Sequence, residues 1–162
     1  MKIHVLTTGG TIDKVYFDAK SEFEVGPPMI AELLKEAHVT AEVTVEPVLA
    51  KDSLELSDAD RRLIRERVAA CESDRVLITH GTDKMVETAK DLAAAKIDKT
   101  IVLTGAMVPY AFGTSSDGFF NLGSALAFVQ VLPAGVYIAM NGRCYPWDKV
   151  RKNRSTGFFE HS

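Results

Sequence analysis

Met1-Lys2-Ile3-His4-Val5-Leu6 runs straight into Thr7-Thr8-Gly9-Gly10-Thr11-Ile12-Asp13, and the reading of this stretch decides the fold. An apolar strand that ends in paired glycines leaves a hydroxyl residue on a tight turn, with open backbone N–H groups around it, at the top of a sheet. A second segment has the same character: Ile78-Thr79-His80-Gly81-Thr82-Asp83-Lys84 follows the apolar run Val76 to Ile78. Two strand-end loops, each setting a Thr beside a Gly, suggest one site assembled from both.

Outward from these loops, apolar β-rich runs alternate with helical patterns. Strands are predicted over 2–7, 41–49, 75–79, 100–104 and 135–140, and helices over 28–37, 58–71, 83–96 and 117–131. Ser57 is placed to cap the helix that starts at Asp58, with Asp60 completing a near capping box. Leu63, Ile64, Val68 and Ala69 recur at helical spacing and are expected to face the sheet. Runs 75–79 and 100–104 are apolar without alternation, as strands covered on both faces are. The order predicts a single-domain, three-layer α/β fold over 1–162, Rossmann-like or flavodoxin-like, with a parallel sheet and helices on both faces. The segment of about 13–27 is too long for a simple βα connection and is expected to be a mobile loop. Ligands of such sheets sit at the carboxyl ends of the strands. Here that edge collects Thr8 to Asp13, Lys51 to Leu56, Thr79 to Lys84 and Thr104 to Asp117.

Composition bounds the rest. The 162 residues are 46% hydrophobic and 25% charged, the balance of an ordinary globular domain. No apolar stretch approaches the roughly 20 residues of a transmembrane helix. A net charge of −3 offers no basic excess to displace counterions, so no nucleic-acid partner is expected. The N-terminus lacks a long apolar signal segment, and Cys71 and Cys144 have no metal-ligand spacing; both fit free thiols in a cytoplasmic setting. Phosphate-loop, dinucleotide, Gly-x-Ser-x-Gly and zinc-helix motifs are all missing.

Taken alone, the hydroxyls and charges at the sheet edge leave two readings open. Thr11 is either a nucleophile beside oxyanion-binding N–H groups or an ordinary turn hydroxyl. Thr82 and Asp83 are either reactive or a helix N-cap pair. His80 is either a base or a loop-positioning residue. Lys152, within Lys149, Arg151, Lys152 and Arg154, is either a base lowered by neighbouring cations or part of a solvated basic segment.

A resemblance decides between them. Thr-Gly-Gly-Thr-Ile at 8–12 and Thr-His-Gly-Thr-Asp at 79–83 resemble the two signature segments of the bacterial-type L-asparaginases. Leu103-Thr104-Gly105-Ala106-Met107-Val108-Pro109, Ser116-Asp117-Gly118, Asn121-Leu122 and Val150-Arg151-Lys152 follow in the family's order over nearly the whole chain. The resemblance implies hydrolysis of L-asparagine to L-aspartate and ammonia through a Thr acyl-enzyme, without metal or cofactor. It implies Thr11 as nucleophile, with Thr82, Asp83 and Lys152 as a second cluster in which Lys152 tunes Thr82 and Asp83 holds the substrate ammonium. Ser53, in Asp52-Ser53, would meet the substrate α-carboxylate, Ala106 would border the leaving amide, and Asp52, Gly10 and Gly81 would also line the substrate. The alternatives are another small amide such as glutamine, or a non-catalytic amino-acid-binding domain. A homo-oligomer, dimer or tetramer, is expected because family members pair subunits across their sites.

Three departures carry expectations of their own. The family's longer members use a second domain to complete the neighbouring subunit's site, and this chain resembles the first domain. Phe23 stands where the family has the tyrosine of its mobile loop, so Tyr16 is expected to activate Thr11 instead. Leu54 follows Ser53 where the family often has a polar residue, which predicts weakened substrate binding and a raised KM.

Overall fold

The computed structural model describes all 162 residues. The first half of the chain holds β1 (Lys2–Gly9), a 3-10 turn (Thr11–Asp13), β2 (Lys14–Phe17), β3 (Glu22–Val25), α1 (Ile30–Glu36), β4 (Glu42–Lys51), a second 3-10 turn (Ser53–Glu55) and α2 (Asp58–Ala70). Then come β5 (Arg75–Thr79), α3 (Met85–Ala94), β6 (Thr100–Thr104), a 3-10 segment (Tyr110–Ser115) and α4 (Gly118–Val131). The chain closes with β7 (Gly135–Met140), β8 (Arg143–Pro146), β9 (Arg151–Lys152) and β10 (Phe159–Glu160).

The main sheet has the order β4-β1-β5-β6-β7-β8. Its first five strands are parallel, in the doubly wound order of flavodoxin-like folds. Side-chain alternation sorts their apolar residues onto two faces. Leu6, Ile78, Leu103 and Ile138 pack with Ile64 and Val68 of α2 and Met85, Ala89 and Leu92 of α3. Val5, Leu77, Val102 and Ala139 pack with Ile30 and Leu33 of α1 and Leu122, Ala125 and Val129 of α4. The expected three layers follow, and each fully buried aliphatic side chain contributes about 1.5–3 kcal/mol. On α2 the capping box forms as predicted, but its inward stripe is narrower: Ile64 and Val68 are fully buried, whereas Leu63 is 37% exposed and Ala69 is also exposed.

Two local features depart from expectation. The sheet is mixed, because β8 pairs antiparallel with β7 at the edge. The physical reason is the Asn141-Gly142 turn, where both residues hold positive φ (55° and 75°), the backbone of a two-residue hairpin. The 13–27 segment forms a hairpin of β2 and β3, with Tyr16 opposite Phe23. An aromatic cross-strand pair of this kind stabilises a short ribbon. A separate small ribbon of β9 and β10 holds Lys152 opposite Phe159.

Candidate active site

Strands β1 and β5 are neighbours at the centre of the sheet, and the chain winds from β1 toward β4 on one side and from β5 toward β6 on the other. A crevice opens at such a switch point, between the loops that leave the two strands. Both Thr-Gly loops leave from there. Gly10 holds φ +86°, and a Cβ on it would lie 2.4 Å from the Gly81 nitrogen. A Cβ on Gly81 would in turn lie 2.6 Å from both Cβ and Oγ of Ser53. The loops after β1 and β5 therefore meet backbone on backbone, with the Ser53 side chain of the loop after β4 packed against Gly81, and only glycine permits both approaches. The Gly10 N–H donates to the Lys51 carbonyl at 3.0 Å, tying the first loop to the third.

Thr11 opens its 3-10 turn half-buried, while Ile12 and Asp13 behind it are buried. Across the crevice, Lys152 Nζ donates to Thr82 Oγ1 at 2.9 Å and to Asp83 Oδ1 at 2.8 Å. Thr82 is buried and the Lys152 side chain is only 12% exposed. Arg154 adds a distant cation, 3.9 Å from Asp83. The ribbon that carries Lys152 is pinned to the body: the Tyr145 hydroxyl donates to the Phe159 carbonyl, and Phe159 N–H donates to Asn141 Oδ1. Residues separated by about 70 positions thus form one three-membered polar contact.

His80 leads into the second loop fully buried. Burial drives its pKa down to about 4, against the upward pull of its hydrogen bond to Gly81, so the ring is neutral near pH 7. Gly81 O only accepts, so Nδ1 carries the proton and donates to it at 2.6 Å; Nε2 then accepts from the Thr88 hydroxyl at 2.8 Å. With both ring nitrogens engaged, His80 positions the Gly81-Thr82 loop and is not free to act as a base.

Ser53 is buried beneath Gly81, and its hydroxyl accepts from Lys84 N–H at 3.3 Å. Asp52 caps the second 3-10 turn through Leu54 N–H and accepts Lys14 Nζ at 2.8 Å, joining this loop to the hairpin. Burial pushes the Asp52 carboxyl up, but hydrogen bonds from Lys14 and Leu54 and the charges of Lys14 and Lys152 bring it below the usual range overall. Leu54 itself points outward, 58% exposed.

Ala106 is buried in the loop after β6. The Asp117 carboxylate accepts from Met107 N–H (2.9 Å) and Val108 N–H (3.0 Å). Asn121, fully buried, donates to the Gly105 carbonyl (2.9 Å) and to Asp117 (2.8 Å). Asp117 and Asn121 enter the sequence reading only as matched letters. Their spacing of four residues across the start of a helix is the signal that they share a face and could brace one loop.

Tyr16 is not drawn into this network. Its ring is 52% exposed and stands 5.3 Å from that of Phe23, which stacks at 5.5 Å on Phe112, and its hydroxyl makes no hydrogen bond within the chain. A cleft of about 350 Å³ lies beside it, lined by Lys14, Phe23, Glu24, Asp52 and Glu55. The structure thus joins Thr82, Asp83 and Lys152 directly, packs Gly10, Gly81 and Ser53 together, and leaves the hydroxyls of Thr11 and Tyr16 unpaired.

Comparison with known proteins identifies the family. The family model described as "Asparaginase, N-terminal" matches residues 2–160. The chain is 33% identical over 164 residues to L-asparaginase 2 of Escherichia coli, covering 95% of this chain and 47% of that protein. It is 33% identical over 153 residues to a glutaminase-asparaginase of Pseudomonas fluorescens, covering 85% of this chain and 41% of that protein. Among solved structures, the thermostable L-asparaginase of Thermococcus kodakarensis superposes with a TM-score of 0.86 at 29% identity, covering 99% of this chain and 51% of that one. The chain spans about half the length of the relatives it matches. With the family model covering nearly every residue and the switch-point loops in place, this chain belongs to the asparaginase N-terminal domain family.

Proposed function

We propose that this chain hydrolyses L-asparagine to L-aspartate and ammonia through a threonine ester. Thr11 Oγ1 attacks the side-chain amide carbon, and the oxyanion is held by the Thr11 N–H at the start of its turn. Collapse breaks the C–N bond, and the nitrogen leaves as ammonia after taking the hydroxyl proton. Water then opens the ester, releasing aspartate and restoring the Thr11 hydroxyl. The observation that carries this reading is the contact of Lys152 with both Thr82 and Asp83, in the loop whose Gly81 packs against Gly10 of the Thr11 turn. A lysine set between a hydroxyl and a carboxylate can pass a proton between them, which a mere binding module does not need.

In this reading Asp83, through its second oxygen, holds the substrate ammonium, Ser53 meets the α-carboxylate, Asp52 lines the substrate beside it, and Gly10, Gly81 and Ala106 line the amide. The β2–β3 hairpin serves as a mobile lid, and its closure brings Tyr16 to Thr11. Leu54 offers the substrate no polar contact, which raises KM.

Ammonia release by the purified chain from asparagine, glutamine and aspartyl hydroxamate tests the proposal. Release fastest from asparagine, with a KM well above the low micromolar range, is expected; binding without release from any of the three would favour an amino-acid-binding domain instead. If Tyr16→Phe turns over at the parent rate while Thr11→Ala is dead, Tyr16 is not the activator. Glutamine is the second substrate to weigh, since one relative is named for both activities; one methylene is worth only about 1–3 kcal/mol. A dimer or tetramer in the cytoplasm completes the reading, supported by the exposed aromatics Phe17, Phe23 and Phe112 and by two free cysteines. Sedimentation of the purified chain and cell fractionation check these points.

A further inference from the structure

The two free cysteines keep different company. Burial pushes the Cys144 thiol up to about 11, which keeps it neutral and unreactive. Cys71 is half-buried at the C-cap of α2, where its thiol donates weakly to the Val68 carbonyl at 3.3 Å. Lys99, the residue before β6, brings its Nζ to 3.4 Å from the Cys71 sulfur and also donates to the Cys71 carbonyl. Lys99 is half-buried as well and makes no ion pair with a carboxylate. A long flexible side chain is thus held over a thiol, with the sulfur and the backbone beneath it as its only partners. The pair lies at the amino ends of the strands, the edge of the sheet opposite to Thr11 and Thr82. A cavity of about 380 Å³ lined by Lys2, His4, Arg67 and Cys71 opens this edge to small solutes.

We propose that Cys71 and Lys99 are an oxidative cross-linking site, at which hydrogen peroxide converts the thiol and the amine into a covalent S–N bond. As the thiolate, Cys71 takes one oxygen from peroxide; the O–O bond breaks, sulfur is oxidised to the sulfenic acid, and hydroxide leaves. That hydroxide takes a proton from the Lys99 ammonium and becomes water. The freed amine attacks the sulfur, the S–OH bond breaks, and the departing oxygen takes a second proton from nitrogen as it leaves as water. One thiol, one amine and one peroxide give one S–N linkage and two waters. Condensation of a sulfenic acid with a nearby nitrogen is the general reaction, and here the nitrogen is already in contact. The linked residues are 28 positions apart, and the loop they close holds β5, Thr82, Asp83 and α3. A link of this kind restricts the unfolded chain and so stabilises the folded one. None of this depends on the hydrolase reading.

The test is peroxide treatment of the full chain followed by intact-mass and peptide mass spectrometry. A product lighter by two hydrogens is expected, with the Cys71 and Lys99 peptides joined and separated again by dithiothreitol. Cys144→Ser should still form it, while Cys71→Ser, Lys99→Met and Lys99→Arg should not. In the two Lys99 variants the sulfenic acid should persist and be trapped by dimedone. The oxidised wild-type chain should melt roughly 5–10 °C above the reduced one, a gap absent in Lys99→Met. Loss of the product in Cys144→Ser would identify a disulfide and overturn the proposal. Cys71 oxidised to sulfinic or sulfonic acid with Lys99 unmodified, or an unlinked Cys71 that peroxide leaves untouched, overturns it as well. Should a variant fail to fold, the peptide map of the wild-type chain decides alone.

Discussion

The loops that leave β1 and β5 carry nearly the same letters but are built in opposite ways. In the second, Thr82 is buried and held by Lys152, and His80 is saturated with hydrogen bonds to Gly81 and Thr88. In the first, Thr11 is half-buried with an unpaired hydroxyl, and the polar group behind it, Asp13, is left with an orphan oxygen. One loop is finished before substrate arrives; the other is not. A nucleophile has to be reachable and a proton relay has to be fixed, so the contrast suits Thr11 to attack and the Thr82 cluster to proton handling.

The strongest way to break this division is to remove each hydroxyl. Thr11→Ala should lower kcat by roughly three orders of magnitude or more with an unchanged melting temperature. Thr82→Ala should also lower kcat, but a chain trapped with asparagine should still form an ester at Thr11, visible by mass spectrometry. An ester on Thr82 in place of Thr11 would reverse the roles.

Lys152→Met is expected to cost roughly 100- to 10,000-fold in kcat, the usual worth of a positioned acid–base group. It should also lower stability, because Asp83 is then left beside a buried hydroxyl with only Arg154 at 3.9 Å for compensation. Lys152→Arg, unable to give up its proton, should restore part of the stability and none of the rate. Full activity in Lys152→Met would reduce the second loop to scaffolding.

Legibility in the sequence divides along a related line. The strands, the two-faced core and the meeting of the two Thr-Gly loops at one sheet edge are readable, because apolar runs and Thr-Gly pairs act locally. The contact of Lys152 with Thr82 and Asp83 came only through family resemblance; nothing in a basic run near the end of the chain says where it will fold back. The hairpin over 14–25 was hidden because Lys14-Val15-Tyr16-Phe17 and Glu22-Phe23-Glu24-Val25 are short and the turn at Ser21 (φ +53°) lacks the usual glycine. The antiparallel edge was in plain letters, as Asn141-Gly142, but outweighed by the parallel pattern before it. The tie from Asp13 to Met29 depends on burial, which no local pattern reports.

The two loops also oppose each other in pH. His80 has a folded-state pKa of about 4, below its ordinary 6.5, so the stability it contributes is present above pH 6.5 and is lost as pH falls toward 4, about 3 kcal/mol in all. Asp13, raised from 3.8 to about 6, works the other way: its contribution is full below pH 3.8 and is lost as pH rises through 6, again about 3 kcal/mol. Between pH 4 and 6 the two largely cancel. Asp13→Asn should therefore raise stability near pH 7 by up to about 3 kcal/mol and make the fall below pH 6 steeper, as His80 is no longer offset. Urea titrations at pH 7 and pH 5 check both halves; parallel curves for the variant and parent would show that Asp13 does not titrate in this range.

The smallest expected effect concerns the floor beneath both loops. Thr7 and Thr79 stand opposite each other in the register of β1 and β5, both fully or almost fully buried, and neither hydroxyl has a hydrogen-bond partner. Val5 and Leu77 share one face of the sheet, and Thr7 and Thr79, two residues further along each strand, lie on that same face. An orphan buried hydroxyl costs about 1–3 kcal/mol, whereas an isosteric methyl there costs nothing in hydrogen bonding. Thr79→Val should accordingly hold or raise the melting temperature, by no more than the equivalent of about 1 kcal/mol. A clear loss would instead place a bridging water between the two hydroxyls, and with it a polar floor shared by the fixed loop and the open one.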